Sequence, residues 1–401
     1  MAEQKQNLMP PGDCILFSTA DWHTPYWTNK QHTARLLAKR GWRVLYVESV
    51  GLRSPSFASG RDWGRLFNRL LRGVKATLAG PEQVENNVWV LPPLMLPGKH
   101  HLPLIRALNQ GLLRSTINRF IKHNKFIKPL VWTYHPFMLD AIEGLETGPL
   151  VYHCVDDLAA VPGVEATAFN LEEIRLLKQC TAVFTTAESL QEKCLPYNAN
   201  THFLSNVVDA EHFGKALQPG PLPHDLESIP EPRLVYHGVL SDFKLDFELI
   251  LQVARLHPEW QWVFIGEERE GQNSPVIAQL KRLPNVHLLG YRSYAVLPDY
   301  LRGMAVGLLP TLLNDYTRSM FPMKYYEYLA AGLPVVTTPL DFTRSCNAGL
   351  ETAIDSTSFI SAIEKQLNRC KLSLNESESF VGENTWDKRM TTMLSLIEDC
   401  Q

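Results

Sequence analysis

Nowhere in the 401 residues does an apolar run continue without interruption for the ~18 residues that a membrane-spanning helix needs. The first residues, MAEQKQNLMPPGD, lack the apolar core of a secretory signal. A protein of the cytosol or of a membrane face is therefore expected. Seven cysteines, at 14, 154, 180, 194, 346, 370 and 400, are odd in number and form no C-x-x-C pair. That excludes a disulfide framework and a cysteine zinc site, and it fits a reducing compartment. A net charge of only −3 gives no case for nucleic acid as a partner. Low-complexity tracts and short repeats are missing too. What remains is 45% apolar and 20% charged, the balance of a folded soluble chain, long enough for two domains.

The pattern along the chain is strand, helix, strand. CILFST (14–19) is a short apolar run, Thr28 can cap the helix NKQHTARLLAKR, Gly41 closes it, and RVLYVE (43–48) follows as a second strand. This spacing predicts a parallel sheet. Further strands are predicted at 130–135, 150–155 and 182–186. ALQPGPLPHDLESIPEP then packs in five prolines, which suits an extended linker. Beyond it the alternation restarts with RLVYHG, LDFELILQVARLH, WQWVFIG, VHLLG, AVGLLP and PVVTT. The expected organisation is an N-terminal Rossmann-like domain over 1–215, a linker over 216–232 and a second Rossmann-like domain over 233–384. A C-terminal helix over 385–401 is expected to pack back toward the first domain. Open sheets bind ligands beyond the carboxyl ends of their strands, so a cleft between the domains is the expected site.

Residues 61–128 carry 12 Lys/Arg against 3 Asp/Glu, a local +9. Arg65, Arg69, Arg72, Lys75, Arg114, Arg119, Lys122 and Lys125 recur near helical spacing beside Leu66, Leu70, Leu113 and Phe120. Two readings stand: ordinary helices with solvated arginines, or a basic amphipathic surface that rests on anionic lipid.

The stretch SMFPMKYYEYLAAGLPVVTTP (319–339) is the most informative. Pro322 suits the first turn of a helix, Gly332 a left-handed cap, and Pro334 prevents continuation. Lys324 then sits where a helix start already favours an anion, and Glu327, one turn on, offers a bidentate acceptor for paired hydroxyls. Phosphate plus vicinal hydroxyls describes a nucleotide. The alternative is a plain i, i+3 ion pair, worth ~0.2–0.5 kcal/mol.

This helix and the order of elements around it resemble the GT-B glycosyltransferases that use nucleotide sugars. The resemblance implies two Rossmann-like domains with parallel sheets facing across a cleft. It also implies that Glu327, placed before the AAGLPVV turn, binds the donor ribose. The family pattern has a second glutamate eight residues earlier, where this chain has Ser319. After the first strand of the C-terminal domain the family has glycine, arginine and, further on, lysine; GVLSDFK keeps Gly238 and Lys244 but has Val239 for the arginine. Lys244, Arg318 and Lys324 together could neutralise a diphosphate. DWHTPYWTNKQHTARLLAKRGWRVLYVE, VYHCVDD, LPNVHLLGY and TRSMFPMKYYEYLAAGLPVV are similar to bacterial envelope and exopolysaccharide transferases. These are of the teichuronic-acid pathway type and, more distantly, the xanthan-pathway glucuronosyltransferase. By that resemblance Asp156 is the base, and Met323 and Lys324 meet the nucleotide.

VYHCVDD ends a strand with Asp156 and Asp157; neighbouring residues there point opposite ways, so one can serve as base while the other caps. Asp156 is the first choice and Asp157 the reserve. ADWHTPYW offers Asp21, His23 and Trp27 at the end of the first strand, suited to sugar stacking and hydroxyl recognition. His135 ends another strand and is a further acceptor-site candidate, with a backbone-bonded structural imidazole as the commoner outcome for a single histidine. No G-x-G-x-x-G points to a dinucleotide, no D-x-D to a metal, and no cofactor is implied beyond the nucleotide sugar itself. The expected reaction moves a sugar from a UDP- or GDP-linked donor to a hydroxyl of a saccharide or lipid-linked saccharide, on the cytosolic face of the inner membrane. Retention or inversion is left open. A nucleotide-sugar 2-epimerase on the same scaffold and a non-catalytic carbohydrate-binding protein are the competing readings.

Overall fold

The computed structural model describes residues 9–49, 71–77, 79–94, 103–268, 274–369 and 371–400. The chain divides into two compact units, Met1–Leu204 with Met390–Gln401, and Ser205–Arg389. In the first, Asp13–Phe17 (β1), Arg43–Val47 (β2), Glu82–Glu85 (β3), Val88–Leu91 (β4), Leu130–Thr133 (β5), Leu150–Cys154 (β6), Ala182–Thr185 (β7) and Thr201–Phe203 (β8) make one sheet. Its order is β3-β4-β2-β1-β5-β6-β7-β8. The β3–β4 pair is an antiparallel hairpin and the other pairings are parallel. β1 and β5 are buried along their whole length, as strands covered on both faces must be.

The first crossover forms as its sequence suggests. Gln31 Oε1 accepts from Thr28 N at 3.2 Å to open the helix Asn29–Lys39, and Gly41 leaves it at φ +87°. A longer helix, Pro103–Asn124, covers the other side of β1. Leu113, Ile117 and Phe120 pack there with Ala76 in the core. This corrects the surface assignment of Leu113 and Phe120: their leucine and phenylalanine side chains fill the sheet's own hydrophobic layer and are withheld from any lipid. Arg65, Leu66, Arg69 and Leu70 lie outside the described residues.

In the second unit, Arg233–His237 (β9), Gln261–Ile265 (β10), Val286–Gly290 (β11), Val306–Leu309 (β12), Val335–Thr337 (β13) and Leu350–Thr352 (β14) form an all-parallel sheet. Its order is β11-β10-β9-β12-β13-β14. The chain order reverses between β9 and β12, and such a switch point opens a crevice at the strands' carboxyl ends. Most of the predicted strands coincide with these within a residue or two. The hairpin β3–β4 and the short edge strands β8 and β14 have no counterpart in the sequence reading.

The proline-rich stretch 216–232 lies inside the second unit. Ala216, Leu226 and Ile229 are buried in its core, and Asp225 accepts from Arg292 Nη2 (2.5 Å) and Tyr300 Oη (2.9 Å). The last helix, Trp386–Glu398, begins in the second unit, and from Met390 onward the chain belongs to the first. There Arg40 Nη2 donates to Thr391 Oγ1 at 2.9 Å. Among the described residues no helix is long and apolar enough to cross a membrane.

Candidate active site

The crevice of the second unit is built around a turn that only glycines permit. β9 ends at His237, and Gly238 follows at φ +116°. A Cβ on Gly266, which follows β10, would lie 1.9 Å from Gly238 O, so the two backbones touch. A Cβ on Gly238 would lie 2.8 Å from Lys324 Cε and 2.9 Å from Nζ. The missing side chain is what lets the lysine cross the strand end.

Lys324 is the first residue of the helix Lys324–Ala330. Pro322 stands just before that helix, a correction to its predicted place in the first turn; its carbonyl accepts from Tyr325 N at 3.1 Å. Gly332 (φ +77°) closes the helix as predicted. Tyr328 locks the helix to β9: its Oη donates to Val235 O at 3.3 Å and accepts from His237 N at 3.2 Å. This clamp brings Glu327, one residue earlier, against the His237 ring, with Oε2 3.2 Å from Nε2.

Electrostatics show the cost of gathering these groups. Glu327 is 8% exposed, and burial pushes its carboxyl up to about 7, against the pull of Lys324. Burial also lowers the Lys324 ammonium, with Glu327 opposing, and drives His237 well down, helped by the lysine's charge. Among the described residues Lys324 and Glu327 make no ion pair with each other. The plain i, i+3 pair is thus not what this helix contains. A half-buried ammonium over the Tyr236 ring (5.4 Å) and a buried carboxylate without a cationic partner suit a ligand that is anionic and carries hydroxyls.

The other donor-site candidates flank this crevice. Lys244 lies in the segment after β9, its Nζ 4.9 Å from the Tyr316 ring centre. That segment is stitched to the one after β12 by Leu312 N to Lys244 O (2.8 Å) and Asp246 N to Pro310 O (2.9 Å). Arg318 is exposed at the end of a short helix whose start is capped by Asn314 Oδ1, 2.9 Å from Thr317 N. Met323 is half-buried immediately before Lys324.

The remaining candidates belong to the first unit, at the carboxyl ends of its strands. Asp21 lies 3.5 Å from Arg72 Nη2, and the same arginine reaches Glu48 at 3.4 Å. Glu48 is buried, accepts from Trp22 N at 2.9 Å, and is raised by burial. Trp27 packs on Trp22 (5.1 Å) and carries the Arg35 guanidinium on its face at 3.8 Å, while His23 is exposed. His135 is buried, and its Nδ1 accepts from Phe137 N at 3.3 Å, a capping placement. Asp156 and Asp157 follow β6 as expected; Asp157 pairs with Lys193 at 3.0 Å, and that lysine also holds Glu173 at 2.8 Å. Among the described residues no three His, Cys, Asp or Glu side chains are gathered as a metal ion would need.

His237, Tyr328, Glu48 and Arg72 escaped the sequence reading as site residues. A signal existed for two of them. His237 is a polar residue closing an apolar strand directly before the glycine turn, and Glu48 closes RVLYVE in the same way.

Residues 231–369 match the family model for glycosyl transferases group 1. This segment contains every donor-site candidate named above. The chain carries a group 1 glycosyltransferase domain on a GT-B fold and is a transferase. The transferase is 25% identical over 322 residues, 70% of its length and 80% of the relative's, to TuaH of Bacillus subtilis, a glycosyltransferase assigned to teichuronic acid biosynthesis. Its fold is shared with a glycosyltransferase from Rickettsia africae (TM-score 0.64, 11% identity, 98% of this chain and 99% of the other). It is shared equally with Anabaena HepE solved with UDP and glucose (TM-score 0.61, 15% identity, 95% and 99%).

Proposed function

We propose that the transferase moves a sugar from a nucleoside-diphosphate sugar to a hydroxyl of a lipid-linked saccharide in envelope or exopolysaccharide synthesis. The observation that carries the donor half is the Gly238–Lys324–Glu327 cluster at the switch point of the second sheet. The ammonium answers a diphosphate and the carboxylate a ribose diol, with Lys244, Arg318 and Met323 completing the donor contacts. The structure of HepE with UDP-glucose supports a uridine nucleotide as the first donor to try. The relation to TuaH supports an envelope acceptor.

In this reading Lys324, Lys244 and Arg318 stabilise the charge that develops on the leaving diphosphate. Asp156 takes the acceptor proton if the reaction inverts, with Asp157 as the reserve. Asp21, His23 and Trp27 receive the acceptor. The test is a panel of UDP- and GDP-sugars with lipid-linked saccharide extract, read as nucleotide release that depends on acceptor. Glu327→Ala should weaken binding of the matching nucleoside diphosphate by ~1–3 kcal/mol. A folded Glu327→Ala protein with unchanged affinity would remove the donor assignment, and a changed sugar nucleotide formed without acceptor would make the protein an epimerase.

A further inference from the structure

His237 has no part in the donor contacts described so far, yet its ring is held more firmly than packing alone requires. Its backbone N–H is fixed by Tyr328 Oη, and its ring meets Tyr328 edge-on at 5.1 Å and stacks on Phe213 at 6.3 Å. Nε2 is buried, has no hydrogen-bond partner, and stands 3.2 Å from Glu327 Oε2. A buried polar nitrogen is rarely left unpaired, so this one is matched to a bond that a small turn of the carboxylate completes.

We propose that His237 is a positioning residue of the donor site: its Nε2 shares a hydrogen with Glu327 Oε2 and so turns the other carboxylate oxygen to the paired hydroxyls of the nucleotide's ribose. The proposal rests on the donor reading above. The charged groups facing the pair are known: Lys324 on the same helix and, from the segment after β11, Tyr294, whose hydroxyl feels the Glu327 charge. Burial and Lys324 keep the imidazole neutral, so it acts as a hydrogen-bond partner and not as a counter-ion. Without it the carboxylate would keep its place on the helix but lose its preferred rotation.

The experiment compares calorimetric affinities for UDP and for 2′,3′-dideoxy-UDP, or for the guanosine pair if the donor panel selects GDP. In the unaltered protein the ribose form should bind more tightly, and Glu327→Ala should erase the difference. His237→Phe keeps a flat ring between Phe213 and Tyr328; it should cut the ribose-to-dideoxy preference about tenfold and raise donor KM more than it lowers kcat. His237→Gln, which restores an N–H near the same place, should recover most of that preference. Loss of the preference in Glu327→Ala with full retention in His237→Phe overturns the role of His237 while sparing the donor reading. Equal weakening of both nucleotides in His237→Phe and His237→Gln makes it a packing residue. An unchanged preference in Glu327→Ala removes the donor reading, and His237 with it.

Discussion

At the scale of single residues, the site keeps a carboxyl group where it is least comfortable. Glu327 in the unfolded chain ionises at its usual 4.5, whereas in the folded protein it holds its proton to about 7. Below 4.5 both states are protonated and the group is neutral in its effect. As pH rises from there, the unfolded chain ionises first and the folded state loses stability, until the loss levels off above about 7. The full loss is on the order of 3 kcal/mol. Glu327→Gln should therefore melt higher than the unaltered protein at pH 8 and no higher at pH 4, measured by calorimetry at both values. Equal melting differences at the two pH values would mean that the carboxyl is not held neutral. In the first unit, Asp156→Asn keeps the shape of the side chain and removes the proton acceptor. Turnover should fall ~10²–10⁴-fold with donor affinity intact, and near-normal turnover would pass the role to another group. Residue identity was legible where chemistry and punctuation coincide, as in Lys324, Glu327 and Gly332. It was not legible where a partner comes from another strand: the Tyr328 hydroxyl reaching β9, or Arg72 reaching Glu48, leaves no mark on local sequence.

At the scale of elements, the strand–helix alternation could be read because buried parallel strands are short apolar runs between turn residues. β3, EQVE, could not: half-exposed and polar, it exists because it pairs with β4 at the sheet's edge. The proline-rich stretch misled for a related reason. Proline reports the lack of a hydrogen-bond donor, not exposure, and Leu226 and Ile229 between those prolines pack into the second unit's core. The turn after β9 is the element on which the donor site depends. Gly238→Ala should cost ~1–3 kcal/mol for its positive φ, and its new methyl would displace the flexible end of Lys324. The preference for a nucleoside diphosphate over its bare nucleoside should shrink, while nucleoside affinity holds. A preserved preference in the folded variant would show that Lys324 does not meet the diphosphate.

At the scale of the whole molecule, the uneven spread of charge bears on where the transferase meets its acceptor. The +9 of residues 61–128 is partly spent inside the fold. Arg72 pairs with Asp21 and Glu48, Arg106 with Asp140 and Glu172, and Arg114 donates to Asp140 O. Lys75, Arg119, Lys122 and Lys125 stay exposed, and so do Leu71 (51%), Leu104 (73%) and Leu108 (49%). These leucines, in the residues 71–77 and at the start of the helix Pro103–Asn124, are exposed where Leu113 and Phe120 are buried. A lipid-linked acceptor lies at a bilayer surface, and each lysine or arginine near an anionic surface is worth ~1 kcal/mol. Four exposed cations with three exposed leucines would together give a useful, reversible hold on anionic lipid. Such attraction is screened beyond a Debye length of about 10 Å at 0.1 M salt. The transferase should sediment with vesicles containing phosphatidylglycerol at low salt, be released at high salt, and lose most of its binding in a Lys75→Glu, Arg119→Glu, Lys122→Glu variant. Equal partition onto neutral and anionic vesicles, or none onto either, would leave this surface as solvated helix and send the search for the acceptor to the aqueous phase.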